Sequence, residues 1–243
     1  MKSFLAALQF LTLFPWPRRA ERSADEVAAG AAFFPMIGFI LGAGVVFVDW
    51  LLRPYFPLVL LAVVLVALLA LLSRGFHLDG LADTFDGLGA GGPRERVLAV
   101  MDDPRAGVFG VVAVVFVILI KVAAVAALGA DRWRALLVAP MIARWAMVLF
   151  AYRSTAARQG LAALLLARMG SADVFFATVF ALVIAAVFSG ARGVAVLALA
   201  ALVTLAAKRY FHKRLGGLTG DLFGAIAEIN EAAALAVFAV GQQ

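Results

Sequence analysis

The sequence predicts an all-α protein: a polytopic integral membrane helical bundle of about seven transmembrane helices, preceded by an N-terminal interfacial helix. Three observations predict it. The 243 residues are 65% hydrophobic with a mean hydropathy of +1.03. Only 15% are charged, against about 25% in soluble domains. The apolar residues are gathered into runs near the ~20 residues that cross ~30 Å of hydrocarbon.

Taken in order, the runs are 31–52, 57–73, 108–129, 135–152, 174–190, 193–207 and 222–240. The opening stretch FLAALQFLTLFPWPRR, 4–19, is too short to span and has no small-residue cleavage site before its prolines and arginines. It reads as an interfacial helix with Trp16 near the headgroups. No repeat or low-complexity linker divides the chain, so 1–243 is one integral-membrane domain. The pair of runs flanking Arg192 has a second reading, a re-entrant hairpin. Cysteine is absent, which removes disulfides and thiolate metal sites.

A net charge of +6 could suggest nucleic acid. In a chain this apolar it is better explained by basic loops that set orientation, so the large partner is membrane lipid and no nucleic acid is expected. With a cytoplasmic N-terminus, the inner segments hold Lys2, Arg18, Arg19, Arg22, Arg74, Arg94, Arg96, Arg105, Arg153, Arg158, Arg168, Lys208, Arg209, Lys213 and Arg214. The outer loops hold Arg53, Arg132, Arg134 and Arg192, a split of 15 to 4. Lys121 and Arg144 fall inside runs.

Two polar blocks lie at inner span ends. GFHLDGLADTFDG, 75–87, follows an uncharged run. Asp79, Asp83 and Asp86 are spaced i, i+4, i+7 and share a stripe about 60° wide on a helix. Like charges so close repel by ~1 kcal/mol per pair in water and more at lower dielectric, so the stripe calls for a cation. The plain alternative is a solvated acidic helix end beside arginines. The second block is LTGDLFGAIAEINE, 218–231. Asp221 and Glu228 share a face, and Glu228 and Glu231 fall inside the last run. A carboxylate at mid-membrane costs ~2.5–3.5 kcal/mol on insertion scales, which makes it a functional candidate; the alternative is a span that ends early and leaves both in water. Thr219 and Gly220 open a helix whose N–H groups suit phosphate.

Clustered carboxylates with only His77 and His212 beside them argue against zinc. Oxygen donors suit Mg²⁺ or Mn²⁺ bound jointly with substrate phosphates. The residues thus describe a membrane enzyme acting on a phosphate or diphosphate at the cytoplasmic face, or a cation path; composition does not separate these.

The blocks also carry a resemblance. His77-Leu78-Asp79-Gly80-Leu81-Ala82-Asp83-Thr84 with Asp86-Gly87 resembles the signature of the cobalamin synthase (adenosylcobinamide-GDP ribazoletransferase) family. Gly216-Gly217-Leu218-Thr219-Gly220-Asp221, Gly224-Ala225 and Glu228 resemble its second signature, and Gln9-Phe10-Leu11-Thr12 and Pro15 its N-terminus. In the middle motif, Asp102-Asp103-Pro104-Arg105-Ala106-Gly107-Val108-Phe109-Gly110, Pro104 stands in place of the family's usual serine and Asp102 in place of a basic residue.

The resemblance implies that adenosylcobinamide-GDP and α-ribazole, or α-ribazole 5′-phosphate, give adenosylcobalamin or its 5′-phosphate and GMP, with Mg²⁺ required. It implies a multi-pass protein of the bacterial cytoplasmic (inner) membrane, alone, as a homo-oligomer, or with other enzymes of cobalamin synthesis. Asp79, Asp83 and Asp86 would hold Mg²⁺ on the diphosphate, and Asp221 and Glu228 would complete the metal site or steer the acceptor. Asp83, Asp221 and His77 are the catalytic candidates. His77 is either a general base or a hydrogen-bond partner of a neighbouring aspartate. Arg105 and Arg144 are candidate phosphate clamps beside Thr219 and Gly220, with pairing to an intramembrane acid as the rival role for Arg144.

Two other classes fit less well. The CDP-alcohol phosphotransferase pattern begins at Asp86-Gly87-Leu88-Gly89-Ala90, but Gly91 replaces its arginine and no acid pair follows. A coupled transporter with Glu228 and Glu231 on its path would be expected to show repeated halves, which are absent. The charge split predicts that reporter fusions after Arg96 and after Gln243 report opposite sides of the membrane; the same side for both would overturn the seven-span topology.

Overall fold

A computed structural model describes residues 2–13, 24–129 and 131–241. Among them are eleven α-helices and no β-strand. In chain order they are α1 Lys2–Leu11, α2 Ala24–Ala28, α3 Phe34–Leu52, α4 Leu58–Leu72, α5 Phe76–Ala90, α6 Arg94–Met101, α7 Val108–Ala127, α8 Arg132–Ala151, α9 Leu161–Arg168, α10 Ser171–Leu215 and α11 Gly220–Ala239. A 3₁₀ turn, Ala31–Phe33, leads into α3. The helix α1 buries Ala6, Ala7 and Leu11 against the bundle; Trp16, placed by the sequence at the headgroups, lies outside the described residues, as do Pro15, Arg18, Arg19 and Arg22.

Five helical segments are long and apolar enough to cross a membrane: 31–52, α7, α8, α10 and α11. The bent pair α4 and α5 supplies a sixth. The 45 residues of α10 are not one rod. Gly190 has φ 56° and ψ −144°, outside helical space. A Cβ on Gly193 would lie 2.3 Å from the carbonyl oxygen of Ala185, yet in a continuous helix eight residues span ~12 Å. The chain therefore reverses at Gly190, into limbs 171–189 and 191–215, ~28 and ~37 Å long. These limbs overlap the two runs the sequence places on either side of Arg192.

The central helix is α8, whose residues are almost all buried. Backbone contact explains how α3 fits so closely on it. A Cβ at Gly38 would sit 2.3 Å from the Pro140 carbonyl oxygen, and one at Gly42 2.7 Å from those of Leu136 and Leu137. Two glycines four apart thus let α3 cross α8 at backbone distance, a packing that suits a bilayer, where dispersion and not hydrophobicity drives association. The lipid side is equally legible: Val108, Phe109, Phe116 and Leu119 of α7, and Phe175, Phe176 and Val187 of α10, are exposed.

The feature that the hydropathy pattern misses is α5. After α4 the chain turns through 88°. Arg74 and Gly75 both take positive φ, 59° and 65°, and the Gly75 N–H closes on the Ala70 carbonyl at 2.7 Å. The 15 residues of α5 then pack on α6, α7 and α11, running antiparallel alongside α11, with His77 at Gly224 and Gly80 at Asp221. The contact with α11 is again glycine on backbone. A Cβ at Gly80 would be 2.6 Å from the Asp221 carbonyl oxygen, and one at Gly224 2.8 Å from that of His77.

The Gly224→Val substitution should therefore push α5 off α11, since no flexible side chain there can give way. The expected cost is about 1–3 kcal/mol or more, read as a lowered midpoint of thermal unfolding in detergent, while Gly44→Ala, which meets open space, should change nothing.

Candidate active site

The Gly80–Gly224 crossing brings together two blocks far apart in sequence. It sets the aspartate stripe of α5 beside the first turn of α11. Asp83 is half-buried, makes no hydrogen bond or ion pair among the described residues, and lies within electrostatic range of Asp79, Asp221, Asp86 and Arg158. Asp79 is exposed and likewise has no hydrogen-bonded or paired partner among them. No three acidic or histidine side chains there form a closed metal-binding group. The donor set is nevertheless all oxygen, and Mg²⁺ typically takes only one or two carboxylates, completing its shell with waters and substrate phosphates.

The third member of the stripe is differently engaged. Asp86 accepts the N–H groups of Gly107 at 2.7 Å and Gly110 at 2.8 Å. It caps the N-terminus of α7 from a neighbouring helix, where a negative charge also meets the positive end of the helix dipole. Both glycines lie against the carboxylate, and a Cβ on either would come within 2.3 Å of it. Asp86 thus ties α5 to the loop 102–107.

Next to Asp221 opens a cavity of about 380 Å³. One wall is polar, formed by Asp102, Arg158, Thr219, Gly220 and Asp221; the other is apolar, with Phe10, Phe34, Phe76, Met147, Leu161 and Phe223 among its residues. Asp79 and Asp83 are not part of the wall and approach the site from the α5 side. Backbone pairing with the loop after α8 fixes the start of α11: Leu218 N–H binds Thr155 O at 2.8 Å, and Ala157 N–H binds Leu218 O at 2.9 Å. A Cβ at Gly217 would meet Thr155 O at 2.6 Å. Thr219 Oγ1 donates to Asp221 Oδ2 at 3.2 Å. Arg158 Nη2 donates to the same oxygen at 2.8 Å, while its Nη1 contacts Asp102.

The two candidate phosphate clamps, Arg105 and Arg144, and the general-base candidate His77 do not line this cavity. Arg105 is largely exposed and binds Asp103 through Nε at 2.9 Å and Nη2 at 2.7 Å; these bonds hold the Asp103 carboxyl down at about 2. Arg144 is fully buried on α8 and pairs with Glu231, the rival role the sequence allows it. His77 is buried, and its Nδ1 lies 3.4 Å from Nη2 of Arg144. A guanidinium only donates, so Nδ1 is the acceptor.

Glu228 is likewise engaged within the protein. Lys121 Nζ of α7 donates to Glu228 Oε2 at 2.5 Å and to Glu231 Oε1 at 2.7 Å. With Arg144 this makes a buried quartet of two cations and two anions, all about 5% exposed or less. The charges sum to zero, which is how four ionised groups persist where each alone is costly. Lys121, an isolated charge in an apolar run, was the sequence signal for this quartet. Arg158 carried no such signal, since nothing in its neighbourhood of sequence is acidic.

The quartet makes a signed prediction. Glu231→Gln leaves two buried cations facing one anion and should cost about 3–5 kcal/mol. The pair Lys121→Met with Glu228→Leu keeps the balance and should cost clearly less, as measured by thermal unfolding of purified protein.

The model of the cobalamin-5-phosphate synthase family matches residues 3–239. A protein of Geotalea daltonii named adenosylcobinamide-GDP ribazoletransferase is 40% identical over 232 residues, covering 95% of this chain and 94% of its own. Proteins of the same name from Roseiflexus sp. (38%, covering 95% and 86%) and Syntrophobacter fumaroxidans (40%, covering 94% of each) match as fully. No solved structure matches.

Proposed function

The chain belongs to the cobalamin-5-phosphate synthase family, and from that premise we propose that it joins adenosylcobinamide-GDP to α-ribazole, or to α-ribazole 5′-phosphate, giving adenosylcobalamin or its 5′-phosphate and GMP. The observation that carries this reading is the two-sided cavity at the start of α11. Its polar wall offers a carboxylate, an arginine and an open helix terminus; its apolar wall offers aromatic surface for a corrinoid. The same cavity lies beside Arg94, Arg158 and Lys208, which bond Ala157 O, Asp221 and Tyr152 O, a basic rim that supports a site facing the cytoplasm from an inner membrane.

In this reaction a ribose hydroxyl oxygen of the acceptor bonds to the phosphorus next to the corrinoid. The bond from that phosphorus to the GMP phosphate oxygen breaks, GMP leaves with the bonding pair, and the hydroxyl proton is lost. Such transfer depends on in-line positioning and on balancing phosphate charge more than on covalent help from the protein. Asp79, Asp83 and Asp221 are the residues that would hold Mg²⁺. When bound, the ion supplies positive charge against the diphosphate.

The rest falls to the chain itself. The N–H groups at Gly220 and Asp221, unsatisfied within the first turn of α11, suit phosphate oxygens. The aromatic wall excludes water from one side of the cavity. Asp86 and Glu228, both engaged in bonds within the protein, support the site by setting the loop 102–107 and the α7–α11 contact. His77, turned to Arg144, sets α5 on α8.

The experiment is release of GMP from adenosylcobinamide-GDP and α-ribazole by purified protein in liposomes. Chelation of Mg²⁺ should abolish it. Asp83→Asn should lower turnover ~10²-fold or more, the usual scale for removing one electrostatic contact to transferring charge. The same variant should unfold at an equal or slightly higher temperature without metal, because a mutual repulsion is gone. Full turnover in both Asp79→Asn and Asp83→Asn at saturating Mg²⁺ would refute the assignment of the metal.

A further inference from the structure

Arg158 stands between two carboxylates from different parts of the chain. Asp221 opens α11; Asp102 closes α6. All three side chains line the 380 Å³ cavity. The two contacts are unequal. Nη2 makes a directed hydrogen bond to Asp221 Oδ2 at 2.8 Å. Nη1 lies against Asp102 Oδ1 as an ion pair, yet it is buried and makes no aligned hydrogen bond among the described residues. The partners differ in burial too: the Asp102 side chain is 62% exposed, Asp221 23% and Arg158 29%.

An ion pair with an exposed, water-competed carboxylate is weak. A guanidinium fork meets two oxygens of a phosphate group with directed, charge-assisted bonds. On the Asp102 side, then, Arg158 has a poorly aligned donor, an exposed partner open to competition from water, and a cavity in front of it. We propose that Arg158 is the anion-binding arm of this cavity and that Asp102 is a built-in competitor, which occupies the arm in the empty protein and yields it to a diphosphate. The Asp221 bond orients the guanidinium throughout. Release of Asp102 also unpins the loop 102–107, whose other end abuts Asp86 through Gly107. The inference rests on the proposed reaction only for the choice of diphosphate as ligand.

The test uses full-length protein in detergent and inorganic diphosphate with Mg²⁺ as the probe, with the dissociation constant read by calorimetry. Arg158→Gln should weaken binding ~10-fold or more, as for loss of a charge-assisted contact. Asp102→Asn should tighten it, by up to about fivefold, the range within which an exposed ion pair can compete. Removing an acid also makes the site less negative in general, so the decisive reading is the double-mutant cycle: in the Arg158→Gln background, Asp102→Asn should have no effect. Equal tightening in both backgrounds, or no tightening in the parent, overturns the proposal. If Arg158→Gln does not fold, Arg158→Met carries the same cycle, since it removes the charge while keeping a side chain of comparable length. The proposed reaction is judged separately, by GMP release from the parent protein. Diphosphate binding with the expected cycle but no GMP would sink the reaction and leave the competitor in place.

Discussion

The backbones of α5 and α11 touch where Gly80 meets Asp221 and Gly224 meets His77, and the site exists because of that contact. At ordinary helix spacing, 8–10 Å between axes, the aspartates of α5 would stand clear of Asp221. Two missing Cβ atoms remove that clearance. The crossing is also expensive in charge, since it adds Asp221 to the two carboxylates, Asp79 and Asp86, that α5 already sets around Asp83, with Arg158 to offset them. A helix pair optimised for stability alone would not bear this arrangement, which is why a cationic ligand or a phosphate-bound metal is the natural complement of the site.

Deeper in the bundle a second set of charges bears the mechanical load. Lys121, Arg144, Glu228 and Glu231 come from α7, α8 and α11 and neutralise one another. His77 joins α5 to the set through Arg144. A quartet of this kind specifies register: sliding α11 by one turn would part Glu228 and Glu231 from Lys121 and leave charges unpaired at a depth where hydration is poor. The aspartates above it are then held at a defined height. Division of labour follows burial. Acids with cations against them are structural, and acids left without a hydrogen-bonded partner at the cavity end, Asp79 and Asp83, are the ones available to a ligand.

Cap and clamp residues complete the frame. Asp86 and the backbone pairing of Leu218 with Thr155 and Ala157 tie two loops to helix ends, so the polar wall of the cavity is built from elements that cannot move independently. The opposite wall, with Phe10 in ring contact with both Phe34 and Phe76, comes from α1, α3 and α5. The short α2 and α9 pack against each other beside it and add Val27, Leu161 and Leu165 to the lining.

The apolar helices were legible from the chain, because a bilayer enforces them locally: an apolar run of the right length must be a helix, since no water can satisfy its backbone. The motif spacing likewise marked Asp79, Asp83 and Asp221. What the sequence could not convey was partnership. Asp86 reads as a third ligand of the stripe until the amides of Gly107 and Gly110 reach it, and Glu228 reads as a member of the site until Lys121 does. Arg105 and Arg144 look equivalent as clamps, yet one faces solvent beside Asp103 and the other is sealed in the core. The 88° turn at Arg74 and Gly75 and the reversal at Gly190 depend on single backbone conformations that hydropathy averages away. Those decisions belong to the tertiary structure because a side chain's role depends on which charge or amide arrives within about 3 Å of it, and the partners of Asp86, Arg144, Glu228 and Glu231 come from helices or loops distant in sequence.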